Sequence, residues 1–166
     1  MNRKFMQAFT LVELLAVMVI ILIIAGMFVG VSGPASKSAK KRKAEVMISA
    51  LEVAISMYKA DTGAYPLSDT TDDAGTTSKL NDYLSTGGVN IPVTPAIGWS
   101  GPYMQFKEGD ISTTNWTIVD PWGNSYMYDP VTTTHAPDHN TKSFDLWSKG
   151  PNGTDNLGTI DKINNW

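Results

Sequence analysis

A single carboxylate, Glu13, stands near the start of a long apolar stretch. An acidic side chain at the centre of a membrane-spanning helix costs on the order of 2.5–3.5 kcal/mol, and less towards an end. Such a group either snorkels to interfacial water or has a partner. His135 and His139 are four apart, a spacing that suits zinc on a helix. The intervening Ala136-Pro137-Asp138 argues against a helix there, so the pair reads as two solvated loop histidines. There is no cysteine, hence no disulfide and no thiol chemistry. No nucleophile–base pairing and no phosphate-cradling glycine loop stands out, so these residues point to no enzyme. Asn115-Trp116-Thr117 and Asn152-Gly153-Thr154 match the N-glycosylation pattern, which chance supplies often.

The elements that position Glu13 are strongly segregated. Residues 14–31 form an unbroken apolar run of eighteen. At about 1.5 Å per residue the run reaches roughly 27 Å, close to the ~30 Å hydrocarbon core of a bilayer. It is longer than the apolar region of about 7–15 residues in a secretory signal. A basic collar comes next, with Lys37, Lys40, Lys41, Arg42 and Lys43. Residues 44–166 then hold six Lys against fifteen Asp or Glu, a balance of −9 hidden inside a formal net charge of −3. An acidic head of this kind argues against nucleic acid as a partner, because phosphate binding needs clustered cations.

The 166 residues suffice for one ordinary domain with a modest core. Gly33-Pro34 either bends the helix or starts a second one, since proline suits a first turn. Beyond it Ala44, Ile48, Leu51, Ile55 and Tyr58 recur at spacings of 4, 3, 4 and 3, one helical stripe for packing against a sheet. Gly63 and Pro66 end that helix. Residues 67–86 are polar and read as a surface loop. Short strands are expected over 103–107, 116–119, 125–128 and 144–148, with Asp120-Pro121-Trp122-Gly123-Asn124 as a turn between two of them. The expected class is α+β: a long N-terminal helix whose C-terminal half packs on a small antiparallel sheet.

The stretch Ala8-Phe9-Thr10-Leu11-Val12-Glu13-Leu14-Leu15 resembles the processing site of type IV pilins and type II secretion pseudopilins. The resemblance implies a leader over residues 1–8, with Arg3 and Lys4, removed by a prepilin peptidase between Ala8 and Phe9, and N-methylation of Phe9. The family usually has Gly where this chain has Ala8. Glu13 becomes the fifth mature residue, and its carboxylate would neutralise the new Phe9 ammonium of a neighbouring subunit inside the membrane. Opposite charges in low dielectric attract strongly and either one unpaired is expensive, which sets register. Counting Lys and Arg alone puts the collar on the cytoplasmic side; the resemblance implies the reverse, a bacterial inner-membrane protein with one span and a periplasmic head. The collar then meets lipid headgroups or acidic surfaces of neighbouring subunits. The implied organisation is leader 1–8, transmembrane and assembly helix 9–33, and a pilin-like head 34–166 that includes the second half of the helix.

Further along, Met57-Tyr58-Lys59-Ala60-Asp61-Thr62-Gly63-Ala64-Tyr65-Pro66, Gly101-Pro102-Tyr103, Asp120-Pro121-Trp122-Gly123-Asn124-Ser125-Tyr126 and Phe144-Asp145-Leu146-Trp147-Ser148 resemble, in order, the major pseudopilin of type II secretion systems. This implies a structural filament subunit whose partners are further copies of itself, the prepilin peptidase, the inner-membrane assembly platform and minor pseudopilins. A surface type IV pilus subunit shares the leader but often carries a C-terminal disulfide loop. A membrane-anchored binding module that never polymerises would leave Phe9 and Glu13 unexplained. The tail from Ser148 to Trp166 resembles the pseudopilin calcium loop, which implies Asn152, Asp155, Asp161 and the Lys149 backbone carbonyl as oxygen ligands. Asn152 stands where the family has Asp, and Lys162 replaces one of its paired aspartates. The alternative is a metal-free loop closed by Asn and Gly turns, with Trp166 packed on the sheet.

Overall fold

In a computed structural model the described residues are 10–29, 32–68, 75–86, 97–132, 136–154 and 163–166. The chain divides into two compact units, Met1–Ala39 and Lys40–Trp166. The first contains helix α1, Leu11–Val29. Its side chains are apolar on every face apart from Glu13, and those described are exposed. Among the described residues no helix is long and apolar enough to cross a membrane; the apolar run of the sequence continues past α1 to Val31.

Helix α2, Ser32–Thr62, carries Gly33-Pro34 in its first described turn. Within the second unit, the expected stripe is the buried face: Ala44, Ile48, Leu51, Ile55 and Tyr58 are all at most 4% exposed. Each of the larger ones contributes about 1.5–3 kcal/mol of apolar burial. The helix stops at Thr62 because Gly63 turns left-handed (φ 83°) while its N–H still reaches the Lys59 carbonyl at 2.8 Å.

The sheet is antiparallel throughout, in the order β1 (Gly75–Thr76), β2 (Met127–Pro130), β3 (Phe144–Ser148) and β4 (Ile163–Asn164). Tyr128, Phe144, Leu146 and Ile163 join the α2 stripe in one core. Of the expected strands, 144–148 forms as read and 125–128 is shifted to β2. The other two do not form. Tyr103 and Met104 direct their N–H groups to the Leu84 carbonyl at 2.9 and 3.3 Å, so that segment pairs with a helix end. Residues 116–119 make only isolated bridges, Ile111 to Ile118 and Val119 to Ser125, between a left-handed Trp116 (φ 58°) and the Asp120 turn.

The reading of 67–86 as a surface loop is also corrected. It contains β1 and helix α3, Ser78–Ser85, whose Leu80, Tyr83 and Leu84 are buried. An i, i+3, i+4 apolar triplet is all that two turns of helix can show, and polar neighbours masked it. Thr77 ties this segment down: it is fully buried, and its Oγ1 both accepts the Ile118 N–H (2.9 Å) and donates to the Ile118 carbonyl (3.3 Å), standing in for a strand partner.

Candidate functional site

Two regions hold the residues singled out in the sequence. In the first, Ala8 and Phe9 lie outside the described residues, and Glu13 lies in the first turn of α1. Its backbone N–H donates to Thr10 Oγ1 at 3.3 Å, and Thr10 Oγ1 donates to Glu13 Oε2 at 3.3 Å. This is a local variant of the reciprocal capping arrangement, with Thr10 closing the helix start and Glu13 three residues on. The motif Thr-x-x-Glu was present in the sequence, and the functional reading of Glu13 obscured it. One carboxylate therefore has a local role, and its remaining acceptor capacity is open, since Glu13 is exposed.

The second region is the loop that leaves β3. Lys149 precedes a 3₁₀ turn, Gly150–Asn152, which Gly153 closes in the left-handed conformation at φ 65°. A side chain at 153 would also place its Cβ 2.9 Å from Asn124 Oδ1, so the Asn124 side chain would have to shift. The same Asn124 donates its Nδ2 to the Gly150 carbonyl at 2.8 Å. Beneath both lies Asp120, 4% exposed. Its Oδ1 accepts the N–H groups of Trp122 (3.0 Å) and Asn124 (2.9 Å), and its Oδ2 accepts the Ser148 hydroxyl at 2.6 Å. Ser148 Oγ in turn accepts the Gly150 N–H at 3.0 Å. A buried carboxylate survives because every oxygen is used.

Asp120 is thus the hub that fixes where the tail loop begins, a role that sequence reasoning assigned only to turn geometry. The signal available was an Asx-type turn beside a serine ending a strand; what it lacked was their proximity across 28 residues of chain.

The tail loop offers hard oxygens without charge in its described part. Asn152 is exposed and makes no side-chain hydrogen bond among the described residues, and the Lys149 carbonyl opens the turn. The Gly150 carbonyl is already taken by Asn124. Asp155 and Asp161 lie outside the described residues, as does Lys162. Among the described residues no three His, Cys, Asp or Glu cluster as metal ligands.

The histidines divide. His135 lies outside the described residues. His139 is not a merely solvated loop residue: its Nδ1 lies 3.1 Å from Asp145 Oδ2, and its ring stacks on Trp166 at 4.1 Å between centroids. Asp145 is 2% exposed and also accepts the N–H groups of His139 and Asn140 at 3.0 and 2.9 Å. Trp166 further meets Trp147 edge-on at 5.9 Å, so the chain's last residue is held against β3.

At the far end of α2, Asp61 accepts hydrogen bonds from the Ser100 hydroxyl and from Tyr103 Oη (2.8 Å). Those two donors hold its carboxyl below the usual carboxylate range. Tyr103 packs edge-on against Tyr58 and Trp99, and Trp99 donates its indole N–H to the Tyr83 carbonyl at 3.0 Å. This aromatic set locks the segment after residue 97 onto α2 and α3.

Two family models match the chain. The prokaryotic N-terminal methylation motif matches residues 3–29. The model for type II secretion system (T2SS), protein G, matches residues 33–166. Type II secretion system core protein G of Escherichia coli (strain K12) is 34% identical over 160 residues, covering 96% of this chain and 90% of that protein. The protein of the same description from Pseudomonas aeruginosa is 32% identical over 168 residues, covering 100% and 99%. That from Aeromonas hydrophila is 30% identical over 166 residues, covering 100% and 96%. Among solved structures, the major pseudopilin from the type 2 secretion system of enterohaemorrhagic Escherichia coli is similar at 22% identity and a TM-score of 0.48, covering 80% of this chain and 91% of that one. With the protein G model matched over residues 33–166 and relatives aligned along nearly its whole length, the chain belongs to the type II secretion system protein G family.

Proposed function

We propose that the chain is the major pseudopilin of a type II secretion system, a structural subunit that stacks with copies of itself into a periplasmic pseudopilus assisting protein export. The observation that carries this reading is the union, in one chain, of a methylation motif over residues 3–29 and a protein G match over 33–166. The prepilin peptidase cuts between Ala8 and Phe9. The assembly platform of the inner membrane then adds subunits to a filament begun by minor pseudopilins. α1, with Gly30 and Val31 extending its apolar run in the sequence, is the single-pass anchor; its 19 residues rise about 28 Å at ~1.5 Å per residue. Its described apolar side chains are exposed, which suits lipid first and neighbouring helices later. The head is periplasmic.

Glu13 meets the Phe9 ammonium of the next subunit, while Thr10 keeps the helix start in place whether or not that neighbour has arrived. The tail loop holds a weak calcium site from Asn152, Asp155, Asp161 and the Lys149 carbonyl. Bound calcium would supply charge neutralisation for two aspartates and rigidity for the loop; Asp120 sets the loop's starting point independently of it.

Intact mass of the membrane-extracted protein, co-expressed with its own prepilin peptidase, tests the reading. The expected product has lost eight residues and gained one methyl group, and disulfide cross-linking of cysteines introduced on α1 gives a ladder of multimers. A chain that keeps Met1, or that stays monomeric in its own membrane, sinks it.

A further inference from the structure

α2 carries four consecutive cations, Lys40, Lys41, Arg42 and Lys43, and all four are exposed. Successive residues of a helix point about 100° apart, so four in a row form a ring. Among the described residues only Lys43 has an ion-pair partner, Asp110 at 3.6 Å, and its side chain remains 63% exposed. The next residue, Ala44, is fully buried, so the head's cover of α2 begins immediately below the ring. The sequence supplies one more cation above it, Lys37, and then the apolar run that ends at Val31.

A protein partner docks on one face of a helix and would use a patch. A ring of cations fits an occupant that encloses the helix. A layer of lipid headgroups pierced by that helix does so, and it complements the charge when the lipid is anionic. The contact also offsets a repulsion: residues 44–166 carry −9, which an anionic bilayer repels and interposed cations neutralise. We propose that the ring at residues 40–43 is a docking site for anionic lipid headgroups, which holds the acidic head at the membrane surface before the subunit enters a filament. The proposal rests on α1 being a membrane anchor. Arg42 offers its planar fork to phosphate and the lysines act as point charges, while Lys43 links the headgroup layer to the head through Asp110.

The test uses the full chain reconstituted at low density in vesicles of phosphatidylcholine alone or with a third replaced by phosphatidylglycerol. A membrane-impermeant amine reagent is added, and labelling of Lys40, Lys41 and Lys43 is read by mass spectrometry against the exposed Lys142 of the head. One cation at an anionic surface gains enough to slow its reaction on the order of fivefold. Labelling of the ring should slow by that factor with phosphatidylglycerol, stay fast without it, and recover in molar salt, where the screening length falls to about 3 Å. Equal labelling in both vesicle types overturns the proposal. So does protection that follows protein density in neutral vesicles, which would make a second copy the occupant. A chain that floats with both vesicle types but shows no lipid-dependent protection refutes the ring and spares the anchor; a chain that floats with neither refutes both.

Discussion

Replacing Asp120 with alanine tests whether the hub beneath the tail loop is structural. The carboxylate is 4% exposed and accepts three hydrogen bonds, at 3.0, 2.9 and 2.6 Å. Its removal leaves the Trp122 and Asn124 N–H groups and the Ser148 hydroxyl without their acceptor. A buried donor left unpaired costs about 1–3 kcal/mol. Trp122 and Asn124 are half-buried, so water recovers part of the loss, whereas Ser148 is fully buried and recovers little. The expected destabilisation is therefore about 3 kcal/mol. Asp120→Asn keeps one acceptor oxygen for the two backbone donors but exchanges charge-assisted bonds for neutral ones roughly half as strong, and should cost about 1 kcal/mol. Urea unfolding of the full chain in detergent micelles, followed by tryptophan fluorescence, measures both. At a slope of about 2 kcal/mol per molar the alanine variant's midpoint should fall by about 1.5 M. Ser148→Ala should cost less in the Asp120→Ala background than alone, because both remove the same bond. An Asp120→Ala variant within about 0.5 kcal/mol of wild type, or strict additivity of the pair, would refute the reasoning.

Other expectations follow from single residues. Tyr126 is fully buried and its hydroxyl has no hydrogen-bond partner among the described residues, so Tyr126→Phe should leave stability unchanged or raise it by up to about 1 kcal/mol; a loss above that would reveal a partner. The Asp61 carboxyl is held low by Ser100 and Tyr103, so its contribution is complete above the ordinary aspartate value of about 3.9 and disappears as pH falls through its lower folded value. Acid titration of unfolding midpoints should show that loss in wild type and not in Asp61→Asn. Gly153→Ala combines a left-handed φ of 65° with a Cβ 2.9 Å from Asn124 and should cost at least about 1–2 kcal/mol, read as a lowered melting temperature. Millimolar calcium should raise the melting temperature of the full chain by mass action, magnesium should do so much less, and Asp161→Ala should erase the difference. Equal effects of the two ions on wild type would mean that Lys162 has taken the ion's place.

What the sequence by itself determined is whatever depends on near neighbours in the chain. The apolar run, the ring of cations and the α2 stripe from Ala44 to Tyr58 are periodic over several turns, and a helix turns period directly into a face. The stop at Gly63 and the turn from Asp120 to Asn124 are equally local. The Thr10–Glu13 cap was local as well and went unread only because a charge in an apolar span invites a functional explanation first. Tertiary structure alone decided the rest. β1 and β4 are two residues each, too short to show a period, and exist because β2 and β3 present edges for them. α3 is held because Tyr83 meets Tyr58 edge-on, the Leu84 carbonyl accepts the Tyr103 N–H, and Leu80, Tyr83 and Leu84 are buried in the common core. Residues 103–107 lose their strand because Leu84 offers a carbonyl there. Asp120 meeting Ser148, Asp145 holding His139, and Trp166 closing on both His139 and Trp147 all join positions distant in sequence. A buried polar group must find partners wherever the fold brings them, and spacing along the chain carries no record of that search.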